Sequence, residues 1–229
     1  MTVLASEKIS PPTLTTRVTR LLVWPLSAWI AYIFLWYLQY KFTGHPGSTY
    51  IFTILTDWLG FHGHEKVMRI GTGVAELIAS LLLFVPRTQV LGAGLSLCIM
   101  TGAIFFHLVS PLGIDPYGDG GVLFKEACAT WAAAAAILAI RHRDVIALLT
   151  WVVNWWGYDK HMYVLATIIL LAAVIYLLIG GILALGFAAV GIGRVRPQAG
   201  HVTLGARAAS LPGAMLLWPV LVCRWWRSR

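Results

Sequence analysis

Charged residues are scarce in this chain of 229 residues. Asp, Glu, Lys and Arg make up 11% of it, whereas an ordinary soluble domain carries about 25%. Hydrophobic residues reach 59% and the mean hydropathy is +0.79, so the composition cannot supply a water-facing surface. These figures exclude a soluble enzyme and a disordered tail, and they predict an integral protein of the inner or plasma membrane.

Closely spaced cysteines are also lacking. Cys98, Cys128 and Cys223 lie far apart in the sequence, and none belongs to a C-x-x-C pair. Thiol–disulfide relay needs neighbouring cysteines, and a disulfide-stapled secreted module needs several pairs. The spacing therefore excludes both functions for this chain alone.

Acidic residues are few: nine Asp and Glu stand against 17 Lys and Arg, a net charge of +8. The basic residues flank apolar segments, which predicts membrane lipid as a partner and no nucleic acid. Arg87, Arg141 and Arg143 fall on the same side as the basic N-terminal tail, and Asp115 and Asp119 fall on the other. The positive-inside rule then predicts a multi-pass protein with a cytoplasmic N-terminus, while the side of the C-terminus stays open.

Four apolar runs approach the roughly 18–20 residues that cross a bilayer. They cover residues 21–40, 67–85, 90–109 and 122–140. The very short turn between the second and third runs predicts antiparallel neighbours. The expected fold is all-α: a tail over residues 1–20, then a four-helix transmembrane bundle over residues 21–143.

The remainder of the chain is less regular. Residues 144–160 form a linker whose apolar, tryptophan-rich part is too short to span and is expected to be an amphipathic interfacial helix. Residues 161–229 form a C-terminal module with two candidate transmembrane helices. The first is overlong and must tilt, protrude or break at Gly180-Gly181, and the second contains Pro212 and Pro219, which kink or break helices.

Glu76 is the most informative polar residue, because a carboxyl group in mid-span is costly unless it faces the bundle interior. Arg69, Thr72 and Ser80 share its helix face by spacing. His107, near the end of the third span, could exchange protons with Glu76. Two interpretations stay open: a catalytic proton-handling pair, or structural residues that only pack and hydrogen-bond.

Lys41, Arg69 and Lys125 fall at the ends of three spans on the side opposite the basic tail. If they converge above Glu76, they form a cationic mouth suited to an anion or a quinone carbonyl. The alternative is that long basic side chains extend separately to the headgroups. Glu126 is expected to neutralise its neighbour Lys125 at the start of the fourth span.

The other short motifs do not indicate a functional site. His62 and His64 do not complete a zinc ligand set, and Asp115 with Asp119 does not complete a calcium loop, so no metal is expected. The glycine pairs Gly71/Gly73 and Gly92/Gly94 lie inside apolar segments and predict helix packing.

Residues 20–142 resemble the DoxX family of small four-helix membrane proteins. The resemblance is carried by YLQYKFTG, RIGTGVAELIASLLLFVPR, GAGLSLCIMTGAIFFHL, the loop GIDPYGDGG and an alanine-rich fourth helix with a basic end. It implies a four-helix bundle with an acid in helix two, matched by Glu76, and a histidine in helix three, matched by His107. Family members resemble membrane subunits of redox systems, notably thiosulfate:quinone oxidoreductase. Residues from 162 onward depart from the family pattern.

These observations favour a membrane subunit of a redox or respiratory-type system that binds quinone near the outer leaflet. No intrinsic cofactor is expected, so other membrane or periplasmic redox subunits would supply electrons. The chain itself would be a quinone-interacting or a non-catalytic subunit. Two alternatives stay open: a non-enzymatic accessory or assembly protein, and a small solute transporter.

Overall fold

The computed structural model describes residues 14–156, 160–187 and 204–227, and within these ranges the regular structure is helical, with no strand. The helices are α1 (Leu14–Thr43), α2 (Pro46–Leu59), α3 (Glu65–Phe84), α4 (Gln89–Val109), α5 (Val122–Ile140), α6 (His142–Trp156), α7 (Lys160–Gly186), α8 (Leu204–Leu216) and α9 (Trp218–Arg227). Residues 1–13 of the expected tail, residues 157–159 of the expected linker, and residues 188–203 and 228–229 of the expected C-terminal module lie outside the described residues.

Helices α1, α3, α4 and α5 form a four-helix bundle in which each helix contacts two neighbours. α1 packs on α3 and α5, and α4 packs on the same two helices from the opposite side. Large apolar side chains from all four helices fill the centre, among them Ile30, Phe34, Leu83, Phe105 and Ile137. The prediction of an all-α bundle is confirmed.

The four bundle helices are long and apolar enough to cross a membrane. The qualifying stretches are Leu21–Thr43, Glu65–Phe84, Gln89–Val109 and Val122–Ile140, close to the four apolar runs of the sequence. α1 itself begins at Leu14, so seven residues that were assigned to the tail are helical. The prolines at 11 and 12 allow a helix to start after them, and the following residues continue the helical geometry of the span.

α2 connects the first two spans and packs against α3. Its start is defined by Pro46 in the first turn, capped by the His45 ring, and its end by Gly60 with φ 86. A left-handed residue at this position favours glycine, which lacks the clashing Cβ atom. Trp58 turns inward and meets the Phe105 and Phe106 rings of α4 edge-on, with ring centroids 6.3 and 6.0 Å apart. α2 is therefore part of the folded core.

The end of the bundle made by the α3–α4 turn and the α5–α6 junction is called the turn end. There Arg141 donates hydrogen bonds of 2.7 Å to the Pro86 carbonyl and to Gln89 Oε1. Gln89 in turn donates to Ser27 Oγ at 3.1 Å. A Cβ atom at Gly92 would lie 2.8 Å from the Leu83 backbone nitrogen, so glycine lets α3 and α4 approach closely. The two helices are antiparallel neighbours, as the short turn predicts.

The C-terminal helices attach to the bundle through α8, which contacts both α4 and α7. Gly213 of α8 lies directly on the Phe105 side chain, where a Cβ atom would overlap the ring. α7 runs uninterrupted through Gly180, whose missing Cβ atom makes room for the Met215 carbonyl. The chain therefore does not break at Gly180, and this glycine instead allows a close contact between α7 and α8.

The last predicted helix is divided in two. α8 accommodates Pro212 in its interior, whereas the chain bends between α8 and α9, and Pro219 occupies the first turn of α9. Proline is tolerated in a first turn because the backbone N–H there has no helical partner. α6 is a separate helix that exposes Ile146, Leu149 and Trp151.

Candidate functional site

A cavity of about 920 Å³ lies inside the bundle. Its walls come from the second halves of α1 and α4 and the first halves of α3 and α5, with α2 as an additional wall. It therefore occupies the end opposite the turn end, here called the loop end. Most of the lining is aromatic or aliphatic, including Phe34, Trp36, Phe52, Met100 and Phe106. Such a lining suits the apolar body of a ligand, with a few polar groups to orient it.

Glu76 and Lys41 form an ion pair in the cavity wall. The distance from Lys41 Nζ to Glu76 Oε2 is 2.7 Å, and the side chains are 12% and 5% exposed. Lys41 lies in the last turn of α1, and Glu76 lies on the face of α3 that also buries Arg69 and Ser80. That face looks into the bundle, as the spacing of these residues predicts. Glu76 Oε1 accepts no hydrogen bond from the described residues.

A second polar contact joins α1 to α5. The Tyr37 hydroxyl donates a hydrogen bond of 2.6 Å to Glu126 Oε2, and both residues line the cavity. Lys41 Nζ lies 5.8 Å from the centroid of the Tyr37 ring, within the range of a cation–π contact. Tyr37, Lys41, Glu76 and Glu126 thus form one polar strip along an otherwise apolar cavity, and this group of four is called the polar strip below.

His107 lines the cavity from α4. Its Nδ1 lies 2.6 Å from the Gly113 carbonyl, and since a carbonyl only accepts, Nδ1 carries the proton. In the neutral ring Nε2 is then the acceptor, and it has no hydrogen-bond partner in the part of the chain that the structure describes. The ring also meets Phe124 edge-on at 5.8 Å. His107 and Glu76 share the cavity without a direct hydrogen bond between them.

Arg69 and Lys125 do not line the cavity. Arg69 is buried, donates to Glu65 Oε2 at 3.0 Å, and also donates to the Lys41 carbonyl. Its guanidinium therefore closes the C-terminal end of α1 onto α3. Lys125 is exposed, because its neighbour Glu126 takes the inward position. Of the three cations expected at one mouth, Lys41 lines the cavity, whereas Arg69 and Lys125 do not.

Glu126 differs from its expected partnership as well. It was assigned to Lys125 beside it, yet it accepts its hydrogen bond from Tyr37 on the neighbouring helix. Residues adjacent in a helix point about 100° apart, so they rarely face the same partner. The hydrogen-bond partner of Glu126 is therefore Tyr37 of α1 rather than its neighbour in the chain.

The α4–α5 loop closes one side of the loop end. Asp115 accepts backbone hydrogen bonds from Asp119 and Gly120, at 2.9 and 3.0 Å. Desolvation opposes the shift, but these backbone N–H groups outweigh it and lower the pKa of the Asp115 carboxyl. Burial, and then the charge of Asp119, raise the pKa of Tyr117, whose ring lines the cavity beside Gly47.

The histidines of the α2–α3 connection are used locally. His62 Nδ1 lies 2.9 Å from Asp57 Oδ1, and His64 Nδ1 lies 3.0 Å from the His62 carbonyl. Within the described ranges no group of three or more His, Cys, Asp or Glu side chains is placed to hold a metal ion.

The sequence did not single out Tyr37 and α2 as parts of the site. A signal for Tyr37 was present: it lies four residues before Lys41 and three after the buried Phe34, on the inward face of α1. For α2 the signal was weaker, because a helix of 14 residues with Asp57 and many hydroxyl groups is not distinguishable from a surface helix by composition.

Comparison of the chain with protein-family models, with curated proteins and with solved structures finds no match in any of the three. The chemistry of the site follows from its geometry. The cavity can hold a largely apolar ligand, Lys41 can donate to an oxygen of that ligand, and His107 Nε2 can accept a proton.

Proposed function

We propose that this chain is a multi-pass membrane protein whose cavity binds a quinone, as a subunit of a redox system. The four apolar bundle helices support the location. The basic residues Arg87, Arg141 and Arg143 lie at the turn end, so the positive-inside rule favours a cytoplasmic turn end and N-terminus. The cavity then belongs to the outer half of the membrane.

One observation carries the functional proposal: a cavity of about 920 Å³ that joins a long apolar lining to the polar strip and His107. A quinone has a flat apolar ring, an apolar tail and two carbonyl oxygens. The aromatic walls suit the ring and tail, and a lysine ammonium with a histidine suits the oxygens. The volume is at the upper end of ordinary ligand pockets, which leaves room for part of a tail.

Each residue of the site has a proposed role. Lys41 donates a hydrogen bond to one quinone oxygen while Glu76 holds the ammonium in place. His107 accepts or returns a proton at Nε2, because Nδ1 is committed to the Gly113 carbonyl. Tyr37 and Glu126 form a second proton-bearing pair on the α5 side. Arg69 positions the end of α1. Lys125 lies at the protein surface and does not contact the ligand.

A bound quinone supplies two-electron, two-proton redox chemistry. The chain contributes binding, orientation and proton exchange, and partner subunits contribute electrons. The resemblance of residues 20–142 to the DoxX family is part of this proposal. It agrees with an acid in the second span and a histidine in the third, both on the cavity.

The test measures the binding of an alkyl benzoquinone to the purified chain in lipid nanodiscs. Quenching of tryptophan fluorescence reports the binding. Glu76→Gln is expected to weaken binding about tenfold or more, because the ammonium loses its anchor. Asp57→Asn is the control: it also neutralises a carboxylate, but on an exposed side chain outside the cavity lining. Equal affinity of both variants and the unaltered protein would overturn the proposal.

A second candidate is an accessory protein whose polar groups only hold the bundle together. The specific observation in its favour is that Lys41–Glu76 links α1 to α3 and Tyr37–Glu126 links α1 to α5. Under this alternative, substitutions in these two links lower the stability of the bundle, and neither the unaltered protein nor the variants bind a quinone. A stoichiometric partner recovered in mild detergent, with no quinone binding by the complex, would favour it.

A further inference from the structure

The cavity has a side opening between α3 and α4. Five residues of its lining are exposed, namely Trp36, His45, Gly71, Cys98 and Tyr117, and of these five only Gly71 on α3 and Cys98 on α4 are small. Ala75 and Gly102 lie one turn further along on the same two helices and also line the cavity. Small exposed residues leave the cavity open to the surface between α3 and α4, whereas the other three exposed lining residues place rings at the edge of the cavity.

The opening is framed by small residues. Apart from the glycine's own helix, no atom lies within 4 Å of a Cβ position at Gly71 or at Gly102, so no neighbouring helix fills the space beside either glycine. Two other glycines of these helices behave differently: Gly73 lies against Phe42, and Gly92 lies against the backbone of α3. Helix packing therefore accounts for Gly73 and Gly92 but not for Gly71, Gly94 and Gly102, and of these last three only Gly71 and Gly102 line the cavity.

On the other sides of the cavity the exposed lining residues carry rings: Trp36 on α1, and His45 and Tyr117 at the loop end. On the α1–α5 side, the Trp36 ring stacks with Tyr32 at 6.2 Å and the Tyr37–Glu126 hydrogen bond bridges the two helices. Above the opening, α2 packs on α3, and Trp58 meets α4. α3 and α4 are held together at the turn end by Gly92. The gap is thus bounded by α2 on one side and by the helix contact on the other.

The opening lies at the depth of the hydrocarbon core if the bundle spans a membrane. Gly71 is six residues from the start of α3, about 9 Å along the helix, and Cys98 is eleven residues from the end of α4, about 16 Å. A hydrocarbon core is about 30 Å thick, so both positions are below the headgroups. A solute dissolved in lipid meets this opening directly, whereas a solute in water does not.

We propose that the gap between α3 and α4, framed by Gly71, Ala75, Cys98 and Gly102, is the portal through which a lipid-dissolved ligand enters the cavity from the side. This rests on the proposed function for the identity of the ligand, and it adds the route. It also defines the ligand class: a molecule that partitions into the bilayer, with its polar head directed toward Lys41 and Glu76 and its apolar tail left in the portal.

The test narrows the portal without disturbing the fold. Gly71→Leu and Gly102→Leu place a side chain in the gap, and Gly94→Leu is the matched control, because Gly94 also has open space at its Cβ position but does not line the cavity. In nanodiscs, association and dissociation of an alkyl benzoquinone are followed by stopped-flow tryptophan quenching.

Both portal variants are expected to slow association and dissociation by a similar factor, about tenfold, and to leave Kd within about twofold. The control is expected to bind at the rate of the unaltered protein. Unchanged rates in both portal variants would overturn the portal while leaving quinone binding intact. A weaker Kd with unchanged association would mean that the substitutions reshape the binding site, which also overturns it. Absence of binding by the unaltered protein would overturn the proposed function instead.

Discussion

The Lys41–Glu76 pair permits a quantitative test that separates stability from ligand binding. The pair is almost fully buried, with side chains 12% and 5% exposed and a 2.7 Å contact. Removal of one partner of such a pair leaves an uncompensated charge and costs about 3–5 kcal/mol. Replacement of both partners by apolar groups of similar size is close to neutral, because the cost of desolvation disappears with the charges.

The double-mutant cycle uses Lys41→Met, Glu76→Leu and the combination of the two. Each single variant is expected to lower the free energy of unfolding by about 3 kcal/mol or more, and the combination to recover to within about 1 kcal/mol of the unaltered protein. The coupling energy is then about 3 kcal/mol or more. Asp57→Asn is the control, since its ion pair with His62 is exposed and is expected to contribute less than about 1 kcal/mol.

Unfolding is measured by detergent titration with tryptophan fluorescence, and quinone affinity is measured on the same samples. The proposed function predicts that the combined variant is stable but does not bind, because neither the donor nor its anchor is left. Additive effects of the two single variants would refute the buried-pair reasoning. A combined variant that is stable and still binds the quinone would show that the pair is structural only.

Three further predictions concern other parts of the molecule. Arg141→Met removes the hydrogen bonds of the turn end and is expected to lower the free energy of unfolding by about 1.5–3 kcal/mol in the same titration, whereas Arg143→Met, an exposed neighbour, should change it little. Gly213→Ala places a methyl group inside the α4–α8 contact and is expected to lower the melting temperature, whereas Gly186→Ala, with open space at its Cβ position, should not. Because its folded pKa is lowered, Asp115 stabilises the loop above its ordinary pKa and loses that effect as the pH falls through the folded value. The carbon-13 carboxyl resonance of Asp115 should therefore titrate below the ordinary aspartate range, and a midpoint at or above that range would contradict the loop geometry.

Helix positions were readable from the sequence because apolar runs of bilayer length leave few alternatives. The second and third spans were predicted to within two residues at each end, and the fourth was predicted to the residue. The errors fall at termini and breaks. α1 begins at Leu14 because backbone hydrogen bonds, rather than hydropathy, determine where a helix starts. α7 continues through Gly180 because this glycine lies in a helix contact.

The site was only partly readable. The inward position of Glu76 followed from the cost of a carboxyl group in mid-span. The ion-pair partner of Glu76 could not be predicted in the same way. Arg69 shares its helix face, yet Glu76 pairs with Lys41, which is 35 residues away in the chain. Which of several cations reaches a buried acid depends on the rotation and tilt of each helix, and these are set by packing that no local pattern records.

The sequence by itself determined the helical class of the fold and the positions of the four long apolar helices. It also determined that a buried carboxyl group needs polar partners. These properties follow from local composition and from the free-energy cost of polar groups in an apolar environment, which act on each segment separately. The tertiary structure decided which cation meets Glu76, that Tyr37 and Glu126 join it, and that Gly71 opens a gap while Gly73 closes a contact. Those outcomes depend on distances between helices, which arise only when all of the side chains pack at once.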